Sequence, residues 1–313
     1  MKIAVLDKET LGDVDLSPLY AVGETVVYPL TAPHEIADRI ADADVVVVNK
    51  IRLNETNLSR SPLKLICVAA TGYDNIDTAY CVSRGIALCN VPGYSTHSVA
   101  QLTLAMVLSL ATHLREYSDY VASGEYTASG VANRLTPVYH ELSSMTWGVV
   151  GGGGIGSQVA KVAEAMGCHV LMCRRTPDDR YEQVSIDELC RRADVITLHV
   201  PLNDSTRGMI SRERIAAMKP NAILVNVARG AVTDEVALAD AVEEGRLGGL
   251  GVDVYSQEPF PADSPFTRLL GRKNVCLTPH MAWGSSEARN RCVREIGENI
   301  RVFFANGNRN RIV

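Results

Sequence analysis

The chain has 313 residues, 46% of them hydrophobic and 21% charged, and a formal net charge of −5. That length suits two domains, and the balance is that of a globular protein rather than a disordered or fibrous one. The mild acidity argues against a nucleic-acid partner, because phosphate binding asks for a basic face.

The chain opens with "MKIAVLDKET", a short strand followed by charges. It lacks the apolar run of a signal peptide, so a cytoplasmic location is expected. Short apolar runs then recur: "KIAVLD", "TVVYPL", "VVVVN", "LKLICVAA" and "GIALCN". After a gap come "TWGVVG", "HVLMCR", "VITLHV", "AILVNV", "GGLGVDV" and "VCLTPH". Most show no alternation. Continuous apolar strands are buried on both faces, which means parallel sheets covered by helices.

Helical signals fall between the runs, at "SPLK", "NIDTAYCVSRG", "SIDELCRRAD", "SRERIAAMKP" and "TDEVALADAVEEGRLGG". Several begin at Ser, Thr or Asp and stop at Gly or before Pro. Strand and helix in alternation predict a doubly wound α/β fold. The gap, "SVAQLTLAMVLSLATHLREYSDYVASGEY", predicts one long helix, apolar at its start and amphipathic at its end. It is too short and too polar in its uncharged part to span a membrane. "SSEARNRCVREIGENIRVFFANG" predicts a second long helix that returns to the first domain. The expected boundaries are 1–97 with 286–313 for one domain and 98–285 for the other. The eight cysteines form no C-x-x-C pair and most lie in apolar runs. They read as buried thiols in a reducing compartment, with no metal site expected.

"VVGGGGIG" supplies Gly151-x-Gly153-x-x-Gly156 between a strand and a helix, with a second strand beyond. That setting marks a dinucleotide fingerprint. Gly151 permits the tight turn, Gly153 lets the backbone approach a pyrophosphate, and Gly156 lets the helix lie close to its strand. Gly154 and Ile155 open the helix, whose first amides face the phosphates. An NAD site normally places a carboxylate at the end of the second strand to hold the ribose hydroxyls. Here the chain reads Cys173, Arg174, Arg175, Thr176. A guanidinium pairs with a 2′-phosphate that a carboxylate would repel, so NADP(H) is the expected cofactor, with NAD(H) as the alternative.

Three late strands end in polar residues, where α/β sites lie: "AILVNVARGAVTDE" carries Arg229, "GVDVYSQEP" carries Glu258 and "VCLTPHMAWGSSEAR" carries His280. An arginine clamps a substrate carboxylate and polarises the neighbouring carbonyl. A histidine shuttles a proton, and a carboxylate orients the imidazole. Taken singly, Arg229 is equally a strand-end residue, Glu258 a turn residue and His280 a core histidine.

With "TGYDNID", "SVAQ", "GVVGGGGIG", "LHVPLNDSTRGMI", "NVARGAVTDE", "GVDVYSQEP" and "TPHMAW", the chain resembles the D-isomer-specific 2-hydroxyacid dehydrogenase family over nearly its whole length. "NVPGYSTHSVAQ" and "PHMAW" look most like the branch of glycerate dehydrogenases and hydroxypyruvate or glyoxylate reductases. The resemblance implies a flavodoxin-like substrate domain, with a Rossmann coenzyme domain inserted in it, and a homodimer. It implies that Arg229 binds the carboxylate and keto oxygen and that His280, paired with Glu258, is the general acid and base. The backbone at Thr71 and Gly72 holds the carboxylate, Asp253 faces the nicotinamide end, and Val200, Pro201, Thr206, Val227 and Ala228 line the cofactor path. Lys50 is either a second positive charge for the substrate or a solvated loop lysine. Trp283, with Tyr94, either lines the substrate pocket or packs at the domain junction; three residues beyond His280, it leans to the pocket. The substrate expected is a small 2-keto acid, glyoxylate or hydroxypyruvate, reduced to its D-2-hydroxy acid, with no nucleic-acid or membrane partner. A rival from another class is a cofactor-sensing binding protein on the same fold. Intact Arg229, Glu258 and His280 argue against it, since a sensor needs no proton shuttle. Oxidation of the phosphite type on this scaffold is the second rival.

Overall fold

The computed structural model describes residues 1–176 and 179–313. Asp178, the acid that follows Pro177 beyond the arginines, lies outside the described residues. The chain divides into two compact units, Met1–Ser95 with Trp283–Val313, and Thr96–Ala282. The crossings fall two and three residues before those expected from sequence, at Ser95 and Ala282.

The first unit is a five-stranded parallel sheet in the order β2-β1-β3-β4-β5. Its strands are β1 (Lys2–Val5), β2 (Glu24–Val27), β3 (Val45–Val48), β4 (Leu65–Val68) and β5 (Ala87–Cys89). This is a flavodoxin-like order. Every residue of β3 and β4 is buried, which is why those runs do not alternate. One face packs on the helix Ser286–Phe304 through Ala288, Cys292, Val293, Ile296 and Ile300. Ile36, Ile40, Leu53, Leu58 and Cys81 cover the other. The tail pairs with β5, with Ile312 N donating to Leu88 O at 2.7 Å and an antiparallel bridge from Cys89 to Arg311. A run of amides then leads inward: Asn310 Nδ2 donates to Asn299 Oδ1 at 3.0 Å, Asn299 Nδ2 to Asn90 O at 3.0 Å, and Asn90 Nδ2 to Thr71 O at 2.7 Å.

The second unit is a seven-stranded parallel sheet in the order β12-β11-β10-β9-β6-β7-β8. Its strands are β6 (Thr146–Val150), β7 (His169–Cys173), β8 (Glu182–Gln183), β9 (Val195–Leu198), β10 (Ala222–Asn226), β11 (Leu247–Val252) and β12 (Val275–Leu277). The order reverses between β6 and β9, the switch point of a Rossmann sheet where ligands bind at strand C-termini. Trp147 is 0% exposed and donates from Nε1 to Thr197 Oγ1 at 3.1 Å, so its polar edge is satisfied in the core.

Two expectations need correction. The long helix of the gap is three helices, Thr96–Ala111, Leu114–Ala122 and Glu125–Ser129. The first two meet at 66° because His113 takes a left-handed φ of 51°, and Gly124, at φ 84°, ends the second. "SPLK" is an extended connection; the helical turn there is Glu55–Leu58, capped by Asn54 Oδ1 on Thr56 N. Among the described residues no single helix is long and apolar enough to cross a membrane. Six of the eight cysteines are buried, and Cys173 and Cys276 are half-buried.

Candidate active site

The glycine run after β6 has the geometry its spacing implies. Gly151 has φ 100°, and a Cβ there would lie 2.6 Å from His199 O. A Cβ on Gly156 would lie 1.9 Å from Gly151 O, so the helix Gly154–Ala165 can start where it does only with glycine at that position. A Cβ on Gly153 would meet nothing within 4 Å, which leaves that face of the turn open to a ligand. Gly153 caps the helix without a side-chain hydrogen bond, as suits a helix start that receives an anion. These residues fit a bound dinucleotide. Val200 leans on the same turn, its Cγ1 lying 3.0 Å from the Cβ position of Gly151.

Gly152 has a role the spacing motif does not give it. A Cβ there would lie 2.7 Å from Arg174 Cδ and 2.8 Å from Arg174 Nε. The arginine side chain therefore lies across the glycine turn, while Arg175 and Thr176 are exposed. The four consecutive glycines were the available signal.

Thr206, expected on the cofactor path, closes its own loop. Its hydroxyl donates to Pro201 O at 2.6 Å and accepts from Asn203 N at 2.9 Å. Val227 packs on the core beneath the glycine helix, and Ala228 is buried on the opposite side of the sheet.

Arg229, Glu258 and His280 all follow strand ends of the second unit, after β10, β11 and β12. Asn226, 1% exposed, shapes the first turn: its Oδ1 accepts from Ala228 N at 3.0 Å and its Nδ2 donates to Arg229 O at 2.9 Å. Gly230 brings that turn onto the next, since a Cβ there would lie 2.1 Å from Ser256 N. The second turn is held by Glu235, whose Oε1 accepts from Ser256 N at 2.7 Å. Glu258 Oε1 in turn accepts from Tyr255 N at 3.1 Å, and its Oε2 lies 2.6 Å from His280 Nδ1. Both partners are partly shielded, at 21% and 29% side-chain exposure, so the contact is screened less than a surface pair.

His280 has a left-handed φ of 51°, uncommon for a residue with a side chain. Asp253, 1% exposed, holds it there from both sides. Its carboxylate accepts from Thr278 Oγ1 at 2.6 Å, Met281 N at 2.8 Å and Ala282 N at 2.9 Å. Burial pushes this carboxyl above the usual range, and the three donors oppose that shift. Tyr255 adds a hydrogen bond from its hydroxyl to Thr278 O at 2.9 Å. Asp253 was expected to face the nicotinamide end; its observed contacts shape the histidine turn.

Lys50, Thr71, Gly72 and Trp283 belong to the first unit. Lys50 follows β3 and is exposed. Thr71 donates from Oγ1 to Val91 O at 3.0 Å. Trp283 packs edge-on to Tyr94, ring centroids 6.4 Å apart, against the core of this unit. Among the described residues no group of His, Cys, Asp and Glu could hold a metal ion.

The family described as D-isomer specific 2-hydroxyacid dehydrogenase, NAD binding domain, matches residues 104–282. A hydroxypyruvate reductase of Blautia hydrogenotrophica is 35% identical over 315 residues, covering 97% of each chain. Two solved structures superpose over nearly the whole length. A D-lactate dehydrogenase from Aquifex aeolicus, complexed with NAD and lactic acid, has a TM-score of 0.86 at 30% identity and covers 98% of this chain and 96% of that one. An acyclic imino acid reductase in complex with NADPH and D-Arg has a TM-score of 0.88 at 29% identity, with both chains fully covered.

Proposed function

The chain belongs to the D-isomer specific 2-hydroxyacid dehydrogenases, NAD(P)-dependent oxidoreductases of CH–OH groups, and on that premise we propose that it reduces glyoxylate or hydroxypyruvate with a preference for NADPH. The observation that carries the reading is the 2.6 Å contact of Glu258 with His280 Nδ1, on a turn adjoined by that of Arg229. A nicotinamide cofactor, when bound at the glycine turn, supplies the hydride. Arg229 holds the substrate carboxylate and draws electron density from the keto oxygen. Glu258 fixes the imidazole through Nδ1, so Nε2 is the nitrogen that delivers the proton to the new hydroxyl oxygen. In the reverse direction the same nitrogen accepts it.

The NADPH preference rests on Arg174 beside the turn and on the lack of a carboxylate at the end of β7. It is tested by initial rates with glyoxylate and hydroxypyruvate, each with NADPH and NADH. We expect NADPH to be preferred, and Arg174→Ala to lower that preference by about tenfold or more, the loss of a charge-assisted hydrogen bond. Preference for NADH in the unaltered enzyme would make the arginines surface charges. Cofactor binding without turnover of any 2-keto acid would favour the sensing protein.

The working form is a homodimer. Support comes from a run of exposed apolar side chains in the second unit: Leu114, Val121, Val131, Leu135 and Val138. A monomer rarely leaves such a run in water.

A further inference from the structure

A buried carboxylate of the first unit has no place in the mechanism above. Asp7 stands just past the C-terminus of β1 and is 3% exposed. Its side chain accepts from three consecutive backbone amides after β3. Asn49 N donates to Oδ1 at 2.9 Å and to Oδ2 at 3.0 Å, Lys50 N to Oδ2 at 2.7 Å, and Ile51 N to Oδ2 at 3.3 Å. Converging successive amides make an anion-binding concavity, here filled from within the chain. The carbonyls of the same loop are gripped from the other side. Asn75 Nδ2 donates to Ile51 O at 2.8 Å and to Asn49 O at 3.4 Å. Asn75 lies in the loop that begins at Thr71 and Gly72. Asn49 Nδ2 also donates to Thr10 Oγ1 at 3.0 Å, and Thr10 Oγ1 donates to Asp7 O at 2.7 Å.

A buried carboxylate is costly unless its oxygens are satisfied, and a neutral turn would hold a loop at less expense. What this arrangement achieves is a backbone fixed on both sides of one residue, Lys50, whose side chain reaches solvent at the C-terminal edge of the sheet. We infer that Asp7 is a positioning residue: it sets the backbone of Lys50 so that the ammonium group engages the 2-keto acid beside the Thr71–Gly72 loop. The inference rests on the 2-keto acid reading of the site. An acceptor-only side chain is needed, because an amide in its place would turn a donor toward other donors.

The test is steady-state kinetics of the full chain with hydroxypyruvate and NADPH. Asp7→Asn is expected to raise KM for the keto acid by about tenfold, with kcat and KM for NADPH within about threefold of the parent, the pattern of lost ground-state binding. Lys50→Gln is expected to do the same, and the double variant to be no worse than the poorer single one, since both remove one interaction. Should Asp7→Asn fail to fold, Asn75→Ala loosens the loop from its other side, and the same split in KM is expected. Effects that multiply in the double variant, or that fall equally on both KM values, would overturn the inference and leave Asp7 a purely structural acid. No turnover by the parent enzyme with any 2-keto acid would instead overturn the functional reading on which the inference rests.

Discussion

His280 occupies a backbone conformation that it would not choose alone. The left-handed region costs a residue with a side chain about 1–2 kcal/mol. Asp253 offsets that cost with three hydrogen bonds on residues 278, 281 and 282. The geometry proposed for catalysis thus depends on a second acid that lies outside the proposed proton path. His280→Gln should lower kcat by about 10²–10⁴-fold, the usual range for a lost general acid. It should leave cofactor affinity, read by nicotinamide fluorescence, nearly unchanged; equal loss of both would count against the assigned role. At this scale the placement of Arg229, Glu258 and His280, each after a strand of its own, was legible in the sequence. Asn226, Asp253 in its positioning role and Asp7 were not. The side chains of Asp253 and Asp7 bind partners 25 to 44 residues away, which no spacing rule reaches, while Asn226 shapes a local turn with residues 228 and 229 that its apolar strand run did not announce.

Each strand–turn–helix element is fixed by how closely backbone meets backbone. Gly156→Ala places a methyl 1.9 Å from the carbonyl oxygen of Gly151, a backbone atom that cannot swing aside. We expect loss of cofactor binding and a destabilisation of about 1–3 kcal/mol, the cost of overpacking, measured by titration and by urea unfolding. Gly153→Ala, with open space at the same distance, should instead leave urea stability within about 0.5 kcal/mol, as surface changes do. The apolar runs announced eleven of the strands, most clearly β3, β4 and β10, where burial of every residue leaves an unbroken signal. β8 has two residues, Glu182 and Gln183, both exposed, so it gives no such signal. The helix expected over the gap failed for a related reason: its pattern continues through Thr112 and His113, while the chain turns there by 66°. Apolar periodicity reports which face is buried, not whether the axis is straight.

At the scale of the whole molecule, sensitivity to acid has an identifiable source. The ring nitrogens of His199 are shielded and have no hydrogen-bond partner among the described residues, and burial lowers its pKa to about 3. The unfolded value is about 6.5, so on acidification the unfolded chain takes up the proton first. The contribution is complete above about pH 6.5 and is lost as pH falls toward 3, by about 1.4 kcal/mol per unit. His199→Leu should shrink the difference between urea midpoints at about pH 7.5 and about pH 5; an unchanged difference would mean the ring is protonated in the folded protein. Association can be tested as directly. Leu135, 77% exposed, changed to Asp should yield monomers by light scattering if its segment lies in the dimer interface. The tail paired with β5 and the helix Ser286–Phe304 carry a different consequence, one of timing. Both belong to the first unit, yet on the ribosome they emerge only after all of Thr96–Ala282 has been made. The second unit can fold while translation continues, and the first must wait with one face of its sheet uncovered. A chain stopped partway would therefore leave the apolar strands of the first unit uncovered on that face.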